Sequence, residues 1–251
     1  MSVRRGVAGV NDSSVFTICM LLCNKLYLYV MVQSMGSAIS PQQYTVITAD
    51  VIGSRKIGSF RSLRDARLDA VSMLHRENGL ILSPYTVTAW DEFQVILSRP
   101  EYAPRVLFDL RRLFIPFGLR IAVGMGAATG TDRQPINKYA GGEAFERART
   151  AADRLKSPSP KYRILTSFET GNAEFDLIAN TIYHLQDSLL EGGTEKQWAT
   201  INMQEEIHNL EQTAQRLGIN ISTVSRNLKR GNYWHLVDTI DAMERIVKLH
   251  F

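Results

Sequence analysis

Short apolar segments and longer helical segments alternate along the chain from Tyr44 to Ser167. Apolar residues follow strand spacing in some segments and recur every three or four residues in others, and this difference separates strands from helices. The predicted order is strand, helix, a hairpin of two strands, helix, strand, helix and strand. The segments are 44–47, 59–77, 85–90 with 93–97, 100–115, 119–127, 141–156 and 162–166.

This order contains the split βαβ arrangement of a ferredoxin-like fold, followed by one extra helix and strand. We therefore predict an α+β fold in which helices cover an antiparallel sheet. The strand at 119–127 has one bulky face and one small face, which carries Gly124 and Gly126 beside Arg120. A small face lets a helix or a ligand approach the backbone closely.

After residue 170 the pattern is helical, and it predicts a connecting helix followed by a C-terminal module. Gly192 and Gly193 mark the boundary between the two. We divide the chain into an N-terminal extension at 1–40, a ferredoxin-like domain called the palm at 41–170, a connecting helix at 171–193 and a helix-turn-helix domain at 194–251.

The segment from Gln212 to Gly231 has the pattern of a helix-turn-helix motif. Ala214 is small enough for two helices to touch, Gly218 permits a left-handed residue in the turn, and Val224 fills the angle between the helices. This spacing resembles that of helix-turn-helix regulators and of the DNA-binding region of sigma factors. The resemblance implies that the C-terminal module binds DNA.

The charge of this segment favours the same function. No acidic residue occurs between Gln212 and Val237, and the front of the second helix is where side chains reach base edges in the major groove. The alternative is a helical hairpin that contacts protein while its basic residues stay solvated. The predicted DNA-binding residues are Arg216, Ser222, Thr223, Ser225, Arg226, Lys229 and Arg230.

Residues 1–34 differ from the rest of the chain, because two apolar runs follow a pair of arginines and are interrupted at Lys25. Three interpretations stay open: a signal peptide, a membrane anchor, or an upstream region whose true start is Met35. An anchor would place Lys25 near the bilayer centre, at a cost of about 2.5–3.5 kcal/mol. Because the first strand begins at Tyr44, we favour the start at Met35, slightly ahead of the anchor; a membrane is a partner only if this segment is real.

With 251 residues and 45% hydrophobic composition, the chain is long enough for a sizeable core and about two domains. A net charge of +4 and a pI near 9.1 fit a nucleotide or nucleic-acid partner. The two cysteines, Cys19 and Cys23, both lie in the N-terminal apolar stretch, so no disulfide framework or zinc cluster is implied. We expect the folded part to be cytoplasmic.

Acidic residues at the ends of predicted strands indicate a metal site. Asp50 follows the first strand and precedes a glycine turn at Gly53, and Asp91 with Glu92 lies between the two hairpin strands. Carboxylates on neighbouring strands can share a divalent cation, because Mg²⁺ takes few protein ligands and fills its coordination sphere with water and phosphate oxygens. The alternative is that Asp50 only caps a turn.

Four segments of the palm carry a resemblance to known families. They are A-D-V-I-G-S-R at 49–55, D-E-F-Q at 91–94, R-I-A-V-G-M-G at 120–126 and G-E-A-F-E-R-A-R at 142–149. Together they resemble the SatD family of bacterial proteins over about residues 43–167. In the same order, they also resemble the catalytic palm of class III nucleotide cyclases and GGDEF diguanylate cyclases.

The cyclase resemblance implies that Asp50 and Asp91 hold divalent ions, Mg²⁺ or Mn²⁺, and that the ligand is a nucleoside triphosphate. The backbone after Asp50 would face the triphosphate. Departures from the cyclase pattern at Trp90 and Glu146 favour nucleotide binding over cyclisation. The candidate nucleotide- or phosphate-binding residues are Val51, Gly53, Ser54, Arg55, Arg120 and Gly142.

The favoured function is a DNA-binding regulator whose palm senses a nucleotide with Mg²⁺. We expect a homodimer, because palindromic DNA sites need two copies and cyclase palms also pair. One alternative is an enzyme, a metal-dependent nucleotidyl cyclase or transferase that makes a cyclic or oligomeric nucleotide signal. The other is an inert palm that only holds subunits together, and no catalytic residue is assigned.

Overall fold

The computed structural model describes residues 42–131, 139–157 and 163–251. The strands are β1 (Gln43–Val51), β2 (Thr86–Val87), β3 (Glu92–Ile96), β4 (Leu119–Ala127) and β5 (Thr166–Glu169). The α-helices of these ranges are α1 (Phe60–Glu77), α2 (Ala103–Leu113), α3 (Glu143–Lys156), α4 (Ala173–Leu190), α5 (Glu195–Ile207), α6 (Leu210–Leu217), α7 (Ile221–Arg230) and α8 (Tyr233–His250). Short 3₁₀ turns at Ser54–Lys56 and Pro100–Tyr102 precede α1 and α2.

The five strands form one sheet in the order β2-β3-β1-β4-β5. β1 is antiparallel to both β3 and β4, and β2 is antiparallel to β3, which confirms the predicted α+β, ferredoxin-like fold. The prediction of an antiparallel sheet is wrong at one edge, because β5 runs parallel to β4. The connection between them passes through α3, and a crossover of this kind brings a strand back in the same direction.

The two faces of the sheet are covered by different helices. Ile47 and Val51 of β1 are buried in the main core, which also contains residues of α1 and α2. On the opposite face, Val46 packs with residues of α3. A Cβ added at Gly124 would lie only 2.2 Å from the carbonyl oxygen of Ala144, so the small face of β4 is occupied by a helix.

One strand is shorter than predicted, and another is displaced: β5 begins where the predicted strand at 162–166 ends. β2 contains only two residues, and the backbone N–H groups of Thr88 and Ala89 both donate to the carbonyl of Glu92, which makes Glu92 the first residue of β3. β5 begins at Thr166 because the N–H of Leu165 donates to the carboxylate of Asp187. The predicted start of that strand at Tyr162 lies outside the described residues.

The C-terminal helices share apolar cores with the palm. Trp198 of α5, Ala214 of α6 and Val224 of α7 belong to one buried cluster, which also includes Phe108 of α2. Conversely, Met243 of α8 is buried in the main core of the palm. Residues 42–251 form one compact unit, and the domain boundaries within it stay predictions.

A buried charged network joins α2 to the C-terminal helices. The Asp109 carboxylate is 1% exposed, accepts hydrogen bonds from Arg105 and Arg112, and lies 3.2 Å from His75 Nε2. Burial alone would raise the pKa of Asp109, but the His75 hydrogen bond and the two guanidinium charges hold it below its ordinary value. Arg105 also forms an ion pair of 2.7 Å with Glu205 of α5.

Within the described ranges, no helix combines the length and the apolar character needed to cross a bilayer. The N-terminal extension lies outside these ranges, so its three interpretations stay open.

Candidate functional site

Asp50 lies near the end of β1, in a row of charged side chains that crosses the sheet. The strand register places Glu92 of β3 and Arg120 of β4 directly opposite Asp50, so the three side chains share one face. Arg120 Nη1 donates to Asp50 Oδ2 at 2.9 Å, and Lys156 Nζ at the end of α3 lies 3.4 Å from Glu92 Oε2. Both acids of the row are therefore paired with a basic residue.

The Asp50 carboxylate is poorly hydrated, with its side chain 14% exposed. Burial raises the pKa of Asp50 above its ordinary value, although the charge and hydrogen bond of Arg120 act in the opposite direction. The negative charge of Asp91 raises the pKa a little further, which places this second predicted metal ligand in the same neighbourhood.

The turn after β1 is attached to the β2–β3 hairpin through Asp91. Ser54 is buried, and its hydroxyl donates to Asp91 Oδ2 at 2.6 Å, while the N–H of Val51 donates to the Asp91 carbonyl at 3.0 Å. Gly53 adopts a left-handed conformation, with φ of 73°, that few other residues tolerate. The structure therefore brings Val51, Gly53, Ser54 and Asp91 together, but the Val51 N–H and the Ser54 hydroxyl are already used in protein hydrogen bonds.

Two other predicted phosphate-binding residues have different surroundings. Arg55 is exposed next to the same turn. Gly142 lies against Ala127, at the end of β4 opposite to Arg120. Because β4 extends seven residues between those two ends, Gly142 is about 24 Å from Arg120 along the strand. The structure does not bring Gly142 together with Asp50.

The charged row and the turn beside it are here called the palm edge; its residues are Asp50, Ser54, Asp91, Glu92, Arg120 and Lys156. The palm edge does not fit a divalent ion in this arrangement. Among the described residues, no group of three or more His, Cys, Asp or Glu side chains is placed to hold a metal ion. Arg120 supplies to Asp50 the positive charge that a cation would supply, and one oxygen of Asp91 is taken by Ser54. Mg²⁺ or Mn²⁺ binding stays a prediction, and an ion would have to displace Arg120.

Trp90 lies on the hairpin turn next to Asp91 and is 45% exposed. Its ring packs against Phe60 at a centroid distance of 5.9 Å, and the guanidinium carbon of Arg61 lies 4.4 Å from the ring centroid. The start of α1 therefore covers part of the turn through a cation–π contact.

The predicted helix-turn-helix is present as α6 and α7. Gly218 ends α6 in a left-handed conformation with φ of 65°, and the N–H of Ile219 donates to the carbonyl of Ala214 at 3.0 Å. Val224 and Leu228 of α7 are fully buried between the helices. The angle between α6 and α7 is thus held by the small and apolar residues that indicated the motif.

Six of the seven predicted DNA-binding residues lie on α7, and Arg216 lies on α6. Thr223 is half-buried and the rest are exposed: Arg216, Ser222, Ser225, Arg226, Lys229 and Arg230. Asn227, on the inner side, donates from Nδ2 to the Thr200 hydroxyl at 3.0 Å and so attaches α7 to α5. The arrangement presents a polar and basic helix face supported by a packed base.

Sequence reasoning missed the roles of Glu92 and Lys156 in the palm row. The sequence pattern predicts Glu92 as a turn residue, and its place opposite Asp50 depends on a register that joins segments 42 residues apart. Lys156 closes the row from the end of α3. The alternation Glu92, Gln94, Ile96 could have placed Glu92 on one face of a strand, but nothing local identifies its partner.

Solved structures that resemble this chain include two that are described here, and both likenesses are weak. No protein-family model matches the chain, and no curated protein matches it. The GGDEF domain of the Pseudomonas aeruginosa protein YfiN (TpbB) is 14% identical, with a TM-score of 0.35, over 55% of this chain and 88% of that one. A regulator of polyketide synthase expression from Bifidobacterium adolescentis is 15% identical, with a TM-score of 0.26, over 86% of each chain. At these TM-scores, neither likeness bears on the function of the chain.

Proposed function

We propose that this chain is a DNA-binding regulatory protein in which α7 enters the major groove. The observation that carries the proposal is the outer face of α7. Arg226, Lys229 and Arg230 are exposed there, and none of them forms an ion pair with a described residue. Unpaired cations on one helix face are suited to the phosphate backbone, which supplies much of the affinity of DNA-binding proteins.

The composition of α7 argues against the alternative of a protein-contact hairpin. A helix that docks on protein usually presents an apolar stripe to its partner. Of the apolar residues of α7, Val224 and Leu228 are buried in the module's own core, and Ile221 is 46% exposed at the front of the helix. A single apolar side chain at that position suits contact with a thymine methyl group in the groove.

The test is the affinity for genomic DNA fragments, measured by mobility shift and fluorescence anisotropy. Replacing Arg226 and Lys229 together by Ala is expected to weaken binding by at least about tenfold, since each contact to DNA contributes roughly 1 kcal/mol or more. A matched control replaces Arg245 and Lys248 of α8, which have the same residue types, spacing and exposure. If both pairs of substitutions leave binding intact, α7 is not the DNA-binding element.

The same experiment addresses the expected homodimer. A palindromic site needs two copies of the motif. Analytical ultracentrifugation of the complex is expected to give two chains per DNA fragment. One chain per fragment would contradict the homodimer without removing the assignment of α7.

Nucleotide sensing by the palm, and the alternative of a nucleotidyl cyclase, stay predictions. The convergence of Asp50, Asp91 and Ser54 at one edge favours them. The pairing of Asp50 with Arg120 opposes them, and no step of a cyclase reaction is assigned to these residues.

A further inference from the structure

A cavity lies where the palm meets α4 and α5. Its volume is about 370 Å³, within the range of small-molecule sites. The loop from Ile115 to Gly118 forms one wall, the C-terminal end of α4 forms a second, and Trp198 of α5 forms a third. The cavity is separate from the outer face of α7.

About half of the lining surface is apolar. Such a surface favours a ligand with an apolar ring or chain, because burying that part removes it from water. The apolar side chains of the lining are those of Ile52, Ile115, Pro116, Phe117, Leu119, Leu165 and Leu190.

Trp198 provides a hydrogen-bond donor without a partner. The residue is 5% exposed, and its indole N–H donates to no described residue. Its Nε1 lies beside Gly193, which also lines the cavity, and a Cβ at Gly193 would come within 2.6 Å of that nitrogen. Because this N–H has no partner among the described residues and borders the cavity, an acceptor atom of a ligand can receive its hydrogen bond there.

Two guanidinium groups approach the cavity, and they differ in how they are paired. Arg111 is nearly buried and donates to Asp187 at 2.9 Å and to the Leu119 carbonyl at 2.7 Å. Arg163 is exposed and forms no ion pair with a described residue. Burial lowers the pKa of Arg111, Asp187 opposes this, and the charge of Arg163 lowers it further. Arg163 lies beside the same loop, because its Nη2 is 3.8 Å from the position that a Cβ would take at Gly118.

The acidic side chains of the lining also differ from each other. Asp187 is almost fully buried, and both its oxygens accept hydrogen bonds, from Arg111 and Thr166 on one oxygen and from the Leu165 N–H on the other. Glu191 is exposed and forms no ion pair with a described residue. An anionic ligand group is therefore attracted to the Arg163 side of the cavity and repelled from the Glu191 side.

We propose that this cavity binds a small organic anion. Its apolar part lies against the palm loop and Leu190, its carboxylate or phosphate group pairs with Arg163, and an acceptor atom receives the indole N–H of Trp198. The three features come from separate parts of the chain and meet only in the folded protein.

The position of the cavity suits an effector of a regulator. Trp198 belongs to the same buried cluster as Ala214 and Val224, which set the angle between α6 and α7. A ligand that contacts Trp198 therefore contacts the buried cluster on which α6 and α7 pack. Binding of the anion itself does not rest on the proposed DNA function, and the test below contains no DNA.

The test uses three probes with the same ring system and different charge: 2-naphthoate, 2-naphthamide and 2-naphthylmethylamine. Titrations of the ¹⁵N-labelled full chain are followed through its three tryptophan indole N–H signals, which are assigned with the Trp198→Phe variant. We expect 2-naphthoate to shift the Trp198 signal in a saturable way. The exposed Trp90 and Trp234 serve as internal controls.

Charge variants then test the orientation of the ligand. Arg163→Gln is expected to weaken 2-naphthoate binding by about tenfold, since it removes a charge-assisted hydrogen bond, and Glu191→Gln is expected to strengthen it. Arg245→Gln, at an exposed arginine of α8, should change nothing. The proposal is overturned if the Trp198 signal does not move at millimolar 2-naphthoate, or if the amide and the amine bind as tightly as the carboxylate.

Discussion

The palm edge and the outer face of α7 are both rich in charge, but only the palm edge pairs its charges within the protein. Arg120 lies 2.9 Å from Asp50, and Lys156 lies 3.4 Å from Glu92. The cations of α7 have no acidic partner among the described residues. A ligand at the palm edge must displace an existing partner, whereas a phosphate at α7 displaces only water and counterions.

The difference shows that the identity of charged residues is a poor guide to binding when their pairing is unknown. In the sequence, Asp50 and Asp91 indicated a ligand as clearly as Arg226 and Lys229 did. In the structure, the palm residues stabilise one another, while those of α7 remain available. Four experiments can break or sharpen this comparison.

The largest expected effect is on DNA affinity. Arg226→Glu places a negative charge against the phosphate backbone and should weaken binding by about a hundredfold or more, as measured by fluorescence anisotropy at fixed salt. Arg120→Gln in the palm removes a cation that is already paired and should leave the affinity unchanged. A comparable loss in both variants would remove the distinction between the two surfaces.

The second effect concerns metal binding at the palm. Because Arg120 neutralises Asp50, the unmodified chain should bind Mn²⁺ weakly, and Arg120→Ala should tighten binding by about tenfold in isothermal titration. Titrations with ATP and GTP, with and without Mg²⁺, extend the test. The unmodified chain could instead bind a nucleotide tightly in the presence of metal, and the Asp50→Ala, Asp91→Ala double variant could lose this binding. That result would contradict the view that the charges of the palm edge are unavailable to a ligand, and it would support a nucleotide-sensing palm.

The third effect is on stability. Arg120→Gln leaves a mostly buried Asp50 carboxylate without its partner and should lower the free energy of unfolding by about 1 kcal/mol. Arg226→Gln removes an exposed, unpaired charge and should change it by less than about 0.5 kcal/mol. Urea denaturation of both variants measures the difference, and equal losses would show that Arg120 contributes no more than a surface residue.

The smallest expected effect is on how the free energy of unfolding depends on pH through Asp50. Burial raises its pKa in the folded protein, so the folded state holds this proton more tightly than the unfolded state. The stability linked to the proton is complete below the unfolded pKa and is lost as pH rises through the raised folded pKa. Relative to the unmodified chain, Asp50→Asn should therefore gain stability from about pH 4 towards neutrality, measured by urea denaturation across that window. If the difference in stability between the two proteins does not change with pH, the pKa of Asp50 is not raised in the folded protein.

Local patterns were sufficient for the long elements. The alternation of bulky and small residues gave β4 its bounds, Leu119–Ala127, and the apolar spacing placed α1 within one residue of its start at Phe60. These elements bury a continuous face, so the pattern is carried by their own residues. The helix-turn-helix was equally readable, because its packing contacts lie within about twenty residues of one another.

Contacts between distant segments could not be predicted in the same way. The direction of β5 depends on its crossover, and its first residue depends on Asp187, which lies 22 residues after Leu165. The pairing of Arg120 with Asp50 joins residues 70 positions apart through the sheet register. The cavity beside Trp198 has no local sequence pattern, since its walls come from several separate segments.

The shared network of Asp109, Arg105 and Glu205 limits how this architecture can evolve. A gene fusion that moved residues 194–251 onto another protein would separate Glu205 from Arg105 and expose Met243, which the palm normally covers. The recipient would acquire a helix-turn-helix in which Glu205 has lost its ion pair with Arg105 and an apolar patch is exposed to solvent. Descendants that change their DNA target should therefore do so by substitutions on α7, while α2 and α5 are inherited together.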